Sequence, residues 1–363
     1  MSRTGTRIFN ANRFKLGLFG QNCSGGITMT SALERWDPSW DNNVAAARLA
    51  DEAGLEFLLP VARWHGYQGE ADPAGASLET LTWAAGLLAA TDEVVIFATV
   101  HVPLVHPVFA AKQIVTADLI GKGRFGLNIV SGWHPSEFEM FGVELREHDE
   151  RYAYSEEWLA IVRRIWSESE PFDFKGRYFD LKGVSSSPKP YGGEQPLTMS
   201  AGSSAAGRAF AVRNADCLFM VIVSLDSLAE EVSALRAAAA PRQVGVYASS
   251  HLFCRRTEKE TAEYYHHIVH ERGDWAAADH AVDIRRHGLS VPPAKLASMK
   301  ERFIAGSGTF PVVGSPDQVV AIYKRLADAG LDGIAVGLVN YIDDLPILRD
   351  EILPRMERLG LRG

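Results

Sequence analysis

The 363-residue sequence predicts an α/β fold, a (β/α)8 TIM barrel with a helical insertion between strand 7 and helix 7. Three observations lead there. Short apolar runs alternate with longer stretches of helical periodicity almost end to end, and strands that alternate with helices pair in parallel. The alternation counts to eight strand–helix units, the number that closes a parallel sheet on itself. No phosphate fingerprint stands between a strand and a helix, which the rival doubly wound open sheet would need to bind a dinucleotide. Residues 1–363 therefore read as a single barrel domain, a length within the usual range for this architecture.

The elements follow in order. The N-terminal stretch Met1–Lys15 carries Arg3, Arg7, Arg13 and Lys15 and no acid. It lacks the apolar segment of a secretory signal and reads as a short disordered lead. The first strand runs Phe14–Phe19, followed by a helix over Asn43–Ala53 that stops at Gly54. Next come strand Leu55–Pro60 and helix Leu78–Ala90, strand Val94–Thr99 and helix Pro107–Ile120, then strand Phe125–Val130 and helix Tyr152–Ser167. The second half continues with Leu197–Ala201, Cys217–Val223, Val244–Cys254 and Gly333–Leu338 as strands. Its helices cover Ser204–Asn214, Asp226–Ala240, Ser315–Ala329 and Leu345–Leu359. Ser315 as N-cap and Pro316 at the first helical position mark one of these starts clearly.

Two stretches break the rhythm. Residues 169–194 hold Pro171, Pro188, Pro190, Gly192 and Gly193 and read as an extended loop with a short hairpin at Phe172–Leu181. Residues 257–308 read as a mostly helical insertion. In a barrel, such an insertion sits over the mouth and can supply lid or substrate contacts.

Composition excludes some functions. A net charge of −8 argues against nucleic acid or anionic membrane as partner. No apolar run is long enough for a membrane span. Three cysteines, Cys23, Cys217 and Cys254, show no CxxC spacing, so neither a disulfide framework nor a zinc site is expected and a reducing cytoplasm fits.

Some signals look like chemistry and are discounted. Gly121–Gly126 matches GxGxxG, but a helix precedes it and a strand follows, the reverse of the dinucleotide order; it reads as a tight turn. His266 and His270 have i, i+4 spacing and His267 lies between them, yet no third ligand accompanies them, so a solvated helix face is expected. Arg285, Arg286 and His287 read as an exposed charge run.

The informative block is Gly123-Arg-Phe-Gly-Leu-Asn-Ile-Val-Ser-Gly-Trp-His-Pro-Ser-Glu-Phe-Glu-Met-Phe-Gly142, continued by Glu147-His-Asp-Glu-Arg-Tyr152 and Ser155-Glu-Glu-Trp158. It resembles the bacterial-luciferase-like flavin monooxygenases, within the branch of the pyrimidine oxygenases and dimethylsulfone monooxygenases. Gly314-Ser-Pro-Asp-Gln-Val319 is similar to that family's entry to a late barrel helix. The resemblance covers essentially the whole barrel. It implies an FMN site made by Ala62, Arg63, Asn128 and Glu137 at the ring, with Arg151, Tyr152 and Ser204 at the phosphate. Gly202, Ser203 and Ser204 also put small residues and free amides at a helix N-terminus, which is either an anion site or an ordinary cap. Leu59, Thr99 and Asn128 match an oxygen pocket beside flavin N5, where a hydroxyl and an amide can hold a peroxide. Trp133 matches a residue packed on the substrate, and His65, His101, His134 and Tyr341 follow strands that end at the mouth.

The family likeness thus implies a two-component monooxygenase. A separate NAD(P)H-dependent flavin reductase supplies FMNH2, and O2 forms a flavin peroxide that oxygenates and cleaves a C–N or C–S bond of a small molecule such as a pyrimidine, cyclic amide or sulfone. Thr99, which the sulfone branch lacks, favours N5 over C4a. Around strand one (Phe19–Gly26) and after strand six (Met220–Val223) the chain departs from the pyrimidine branch, which puts uracil in doubt. The resemblance also implies a homodimer or homotetramer. The alternatives are an alkyl sulfone or sulfonate monooxygenase working through C4a, an F420-dependent dehydrogenase on the same barrel, and a non-catalytic flavin-binding barrel.

Overall fold

A computed structural model describes residues 5–202, 204–286 and 292–363. Its strands are β1 (Lys15–Phe19), β2 (Phe57–Leu59), β3 (Val95–His101), β4 (Phe125–Val130), β5 (Phe172–Lys175), β6 (Asp180–Val184), β7 (Leu197–Ala201), β8 (Cys217–Met220), β9 (Gly245–Cys254), β10 (Phe310–Gly314) and β11 (Gly333–Gly337). The helices are α1 (Trp40–Glu52), α2 (Thr80–Ala90), α3 (Pro107–Ile120), α4 (Pro135–Met140), α5 (His148–Ser167), α6 (Ala205–Asn214), α7 (Leu228–Ala239), α8 (Glu258–Tyr265), α9 (Trp275–Arg286), α10 (Pro293–Gly306), α11 (Pro316–Asp328), α12 (Tyr341–Ile347) and α13 (Leu353–Arg358). Strands β1, β2, β3, β4, β7, β8, β9 and β11 pair in parallel and close back onto β1 as a (β/α)8 barrel. Among the described residues, no helix is long and apolar enough to cross a membrane.

The inward face explains the closure. Alternate residues point into the barrel, and three large rings meet there: Phe57 stands edge-on to Phe97 at 6.1 Å and to Tyr247 at 5.6 Å. Burying each ring stabilises the fold by roughly 1.5–3 kcal/mol. The rings fit because neighbouring inward positions lack side chains. A Cβ at Gly17 would lie 2.5 Å from the Phe57 ring, and one at Gly126 would lie 2.4 Å from Phe97.

The N-terminal end of the barrel is sealed, and this corrects the expectation of a disordered lead. Residues Arg7–Phe9 form a 3-10 turn that buries Ile8 under the interior rings. Arg7 donates to Asp51 at 3.0 Å. The fully buried Glu56 carboxylate accepts from Leu16 N–H and from Asn10, Asn12 and Arg362, joining both ends of the chain. A run of four basic residues without an acid hid this, because the partners lie elsewhere in the sequence.

The hairpin in the extended loop is present as β5 paired antiparallel with β6. Strand β10 was not foreseen. β9 is ten residues long and outlasts β8, which pairs with it only to Ala248. Beyond that point the free edge of β9 is taken by Phe310–Gly314. Pro311 is tolerated because β10 is an edge strand and its outer side needs no ladder donor.

The insertion is helical, as expected: α8, a π-turn at His266–Glu271, α9 and α10. Its apolar core includes Ile268, Val269, Ala281, Val282 and Ile304 and extends to Met29 and Tyr67 on the loops after β1 and β2. Asp274 fastens it, accepting from Ala71 N–H at 2.7 Å and from Ala277 N–H at 3.0 Å. The insertion therefore covers the C-terminal mouth. His266, His267 and His270 lie at its surface, facing Glu271, Glu34 and Glu301.

Candidate active site

Leu59, Thr99 and Asn128 lie on three adjacent strands at the C-terminal mouth, with Thr99 and Asn128 as register partners. Thr99 Oγ1 donates its only proton to Pro60 O at 2.6 Å. It must then accept from Asn128 Nδ2, which stands at 3.1 Å. This fixes the amide orientation: Asn128 Oδ1 points elsewhere and is buried without a partner. The expectation that the Thr99 hydroxyl itself holds an oxygen species is corrected, because its proton is already committed. Thr99 orients Asn128. An orphaned buried carbonyl costs about 1–3 kcal/mol and marks a place where a ligand donor fits.

The loops after β2 and β4 meet at Arg63. Glu137, expected at the flavin, has no exposed surface. It accepts from Trp64 N–H at 3.0 Å and from Arg63 Nη1 at 3.5 Å, so it anchors the Arg63 loop from behind. Arg63 Nη2 also donates to Tyr67 Oη at 2.8 Å, and its guanidinium lies 4.7 Å from the Trp133 ring. Ala62 is half-buried beside it. His134 is buried, with Ser136 Oγ 3.1 Å from Nδ1, whereas His65 is exposed. Burial lowers the His134 pKa. Tyr341 is also corrected: its ring is fully buried edge-on to Trp36, and its hydroxyl donates to Phe19 O, so it supports the β1 loop and does not line the mouth.

At the other side, Ser204 caps α6 and accepts from Gly207 N–H at 3.1 Å. That bond uses a lone pair, so the Ser204 proton remains available, together with the first free amides of the helix. A Cβ at Gly202 would lie 2.4 Å from the Gly207 backbone, and one at Gly207 would lie 2.6 Å from the Tyr152 hydroxyl. Tyr152 therefore stands against this helix start, as expected. Arg151 donates to Gly132 O at 2.5 Å and leaves Nε buried without a partner. Ser203 lies outside the described residues.

Two cavities open along the mouth and meet at Val221. One, of about 210 Å³, is lined by Phe19, Arg63, Tyr67, Ser249 and Arg285. The other, of about 360 Å³, runs to Ser200, Gly202 and Arg208 by the α6 start. A larger cavity of about 880 Å³ lies against the β1 and β2 loops and is lined by Ala62, Arg63, Thr99 and His101, so it reaches expected site residues too and shares Arg63 with the first. The pair is lined by residues of β1, β7, β8 and β9 and the larger cavity by Thr99 of β3, so together the three follow the strand ends where such enzymes keep their chemistry, and we place the site along them. Its rim exposes Val221 (55%) and Val223 (78%), apolar surface that asks for a flat cover. An apolar rim, an unpartnered amide carbonyl and an anion-ready helix start fit a flavin mononucleotide.

Of the cavity lining, Tyr67 was missed, since a tyrosine in the loop after β2 carries no local signal of this place. Phe19 and Val221 fall in the two stretches where the chain departs from the pyrimidine branch, and Arg285, read as part of an exposed charge run, is exposed and lines the cavity.

Two buried imidazoles give a pH dependence. Burial pushes His101 down to about 4 and His251 down to about 3. Thr309 Oγ1 donates to Gly306 O, so it accepts from His251 Nδ1–H at 3.0 Å, while burial and the nearby Arg302 charge keep the ring neutral. An unfolded imidazole protonates near ~6.5. Between that pH and about 4 the unfolded chain binds the extra protons, so stability falls as pH falls through this window. The expected slope is about 1.4 kcal/mol per pH unit for each histidine. Urea unfolding from pH 7 to pH 4.5 measures it, and His251→Gln should flatten the slope; an unchanged slope refutes the assignment.

Comparison with known proteins follows the same lines. Residues 14–333 match the family described as luciferase-like monooxygenase. An FMNH2-dependent dimethylsulfone monooxygenase of Pseudomonas fluorescens (strain Pf0-1) is 30% identical over 96% of each chain. The pyrimidine monooxygenase RutA of Allorhizobium ampelinum is 28% identical over 94% of this chain and 96% of its own. Among solved structures, DmoA from Hyphomicrobium sulfonivorans superposes with a TM-score of 0.86 at 17% identity, covering 97% of this chain and 90% of that one. Barrel, mouth and sequence agree: the chain belongs to the luciferase-like monooxygenase family.

Proposed function

We propose that the protein is the oxygenase component of a two-component system, taking FMNH2 from a separate NAD(P)H-dependent flavin reductase in the cytoplasm and using O2 to cleave a C–N or C–S bond of a small molecule. The observation that carries the reading is the mouth itself, with the unpartnered Asn128 carbonyl over the barrel and the α6 start beyond Val221. Both relatives bear monooxygenase names, and one names FMNH2.

Bound reduced flavin supplies the electrons that activate O2; the rest is positioning by the protein. Ala62, Arg63 and Asn128 hold the ring, while Ser204 and the first amides of α6, with Tyr152 against them, hold the phosphate. Leu59 keeps an apolar wall beside Asn128 and excludes water from the reacting oxygen. Thr99 keeps Asn128 in one orientation. Trp133 and His134 close the substrate side. Assembly as a homodimer or homotetramer belongs to the same reading.

Single turnover with photoreduced FMN and O2 tests it, with a panel of sulfones, pyrimidines and cyclic amides followed by mass. Oxygenated product is the expected result. Failure of FMNH2 to bind overturns the proposal.

A further inference from the structure

His101 is placed by the pleat of β3. Phe97, Thr99 and His101 stand two residues apart and share the inward face of the strand. The imidazole therefore follows Thr99 towards the mouth, roughly 6.6 Å further along. It lines the cavity of about 880 Å³ together with Thr99 and Arg63. Its two nitrogens differ. Nδ1 is buried without a hydrogen-bond partner, whereas Nε2 is not among the buried atoms and is the nitrogen left open to the cavity. Behind Nδ1, at 3.8 Å, stands Glu137 Oε2, which is also buried and without a hydrogen-bond partner. The other oxygen, Oε1, already accepts from Trp64 N–H and Arg63 Nη1. The gap between Nδ1 and Oε2 lies just past hydrogen-bond reach, and such gaps tighten when a site is filled.

The pair decides where the ring proton sits. Glu137 is the carboxylate that answers Arg63, so its Oε2 can only accept. Burial keeps the imidazole neutral, with one proton to place. That proton belongs on Nδ1, against the carboxylate, and Nε2 keeps a lone pair open to the cavity. A histidine that merely packs has its inner nitrogen satisfied; here the inner nitrogen is orphaned and the outer one is open. A second acceptor without a donor, Asn128 Oδ1, lies on the adjacent strand, and Thr99 has no proton left to give. On this side of the mouth the missing partners are donors, which a ligand has to bring.

We propose that His101 Nε2 is the acceptor that reads an N–H group on the substrate, and that Glu137 sets this preference by holding the ring proton on Nδ1. A cyclic amide carries such a group; a dialkyl sulfone carries none and would leave Nε2 unmatched. This rests on the flavin reading above for calling the bound molecule a substrate, but the acceptor itself can be measured without turnover.

Ligand-observed NMR titrations of the full-length protein, with and without FMN, compare two near-isosteric pairs: γ-butyrolactam against γ-butyrolactone, and δ-valerolactam against δ-valerolactone. Each lactam offers an N–H where its lactone has a ring oxygen. The lactam should bind about fivefold or more tightly, the size of one hydrogen bond. His101→Phe keeps a ring in place and should bring the ratio to about one. His101→Gln, whose amide oxygen can take the place of Nε2, should keep part of it. Glu137→Gln is the sharper variant. Its carbonyl can still accept from Trp64 N–H, but its amide nitrogen then donates to Nδ1 and moves the ring proton to Nε2. The ratio should therefore fall to about one although His101 is untouched, a change that a packing role alone does not produce. Equal binding of lactam and lactone to the unaltered protein overturns the proposal, and this comparison needs no folded variant. Failure of both lactams to bind overturns it too, as does an unchanged ratio in His101→Phe or Glu137→Gln. The N–H groups of the flavin ring are the other source of a donor: if His101→Phe weakens FMN binding and leaves the lactam ratio intact, His101 serves the cofactor and the proposal falls. If the unaltered protein prefers the lactams but binds no FMN, the flavin reading fails and the acceptor stands.

Discussion

Asn128→Ala is expected to lower oxygenated-product formation by about 10²–10³-fold, the cost of losing one preorganised polar group at a reacting centre. The side chain is buried in register with Thr99, and removing it deletes both the fixed amide and the orphaned carbonyl. Thr99→Val probes the same device from behind. Valine keeps the shape, but Asn128 Nδ2 loses its acceptor and Pro60 O loses its donor. The amide can then turn, and product formation should fall about tenfold or more while flavin binding persists. Thr99→Ser keeps the hydroxyl and should restore most of the loss. Because both substitutions act on one hydrogen-bonded pair, the double variant should be little worse than Asn128→Ala alone. Product yield and hydrogen peroxide release in single turnover measure all four proteins. Full yield in Thr99→Val would show that Asn128 needs no positioning.

The barrel was legible because short apolar runs alternate with stretches of helical periodicity and count to eight. Elements that depend on distant partners were not. Strand β10 exists only because β8 stops short and leaves an edge of β9 open, and no local pattern in Phe310–Gly314 states that. The N-terminal turn is ordered by Asp51 and Glu56, some forty residues away along the chain. In the site, the family resemblance brought Leu59, Thr99 and Asn128 together, and their strands are adjacent. The direction of the Thr99 proton could not be read, since it depends on Pro60 O. Tyr341 was misplaced because a tyrosine just after a strand can face either the mouth or the neighbouring helix, and the cleft between Trp36 and Gly26 decides.

Glu56→Ala should cost about 3–5 kcal/mol of stability, since it leaves the Arg362 guanidinium buried without its partner. Glu56 is fully buried, and Arg362 Nη1 donates to it at 2.8 Å. The same carboxylate holds Leu16 N–H and two asparagine amides, so the loss reaches β1 and the N-terminal turn together. Arg362→Met should cost nearly as much for the mirror reason, an unpaired carboxylate. Glu56→Ala with Arg362→Met removes both charges, and its cost should be well below the sum of the single losses, because the largest part of each is a stranded ion. Urea midpoints of the four proteins measure the cycle; additive losses would show that the pair is not coupled. The pair closes the N-terminal end of the barrel, where barrel proteins keep stability and not chemistry. Flavin affinity measured below the unfolding midpoint should therefore be the same in all four, which separates the sealed end of the molecule from the open one.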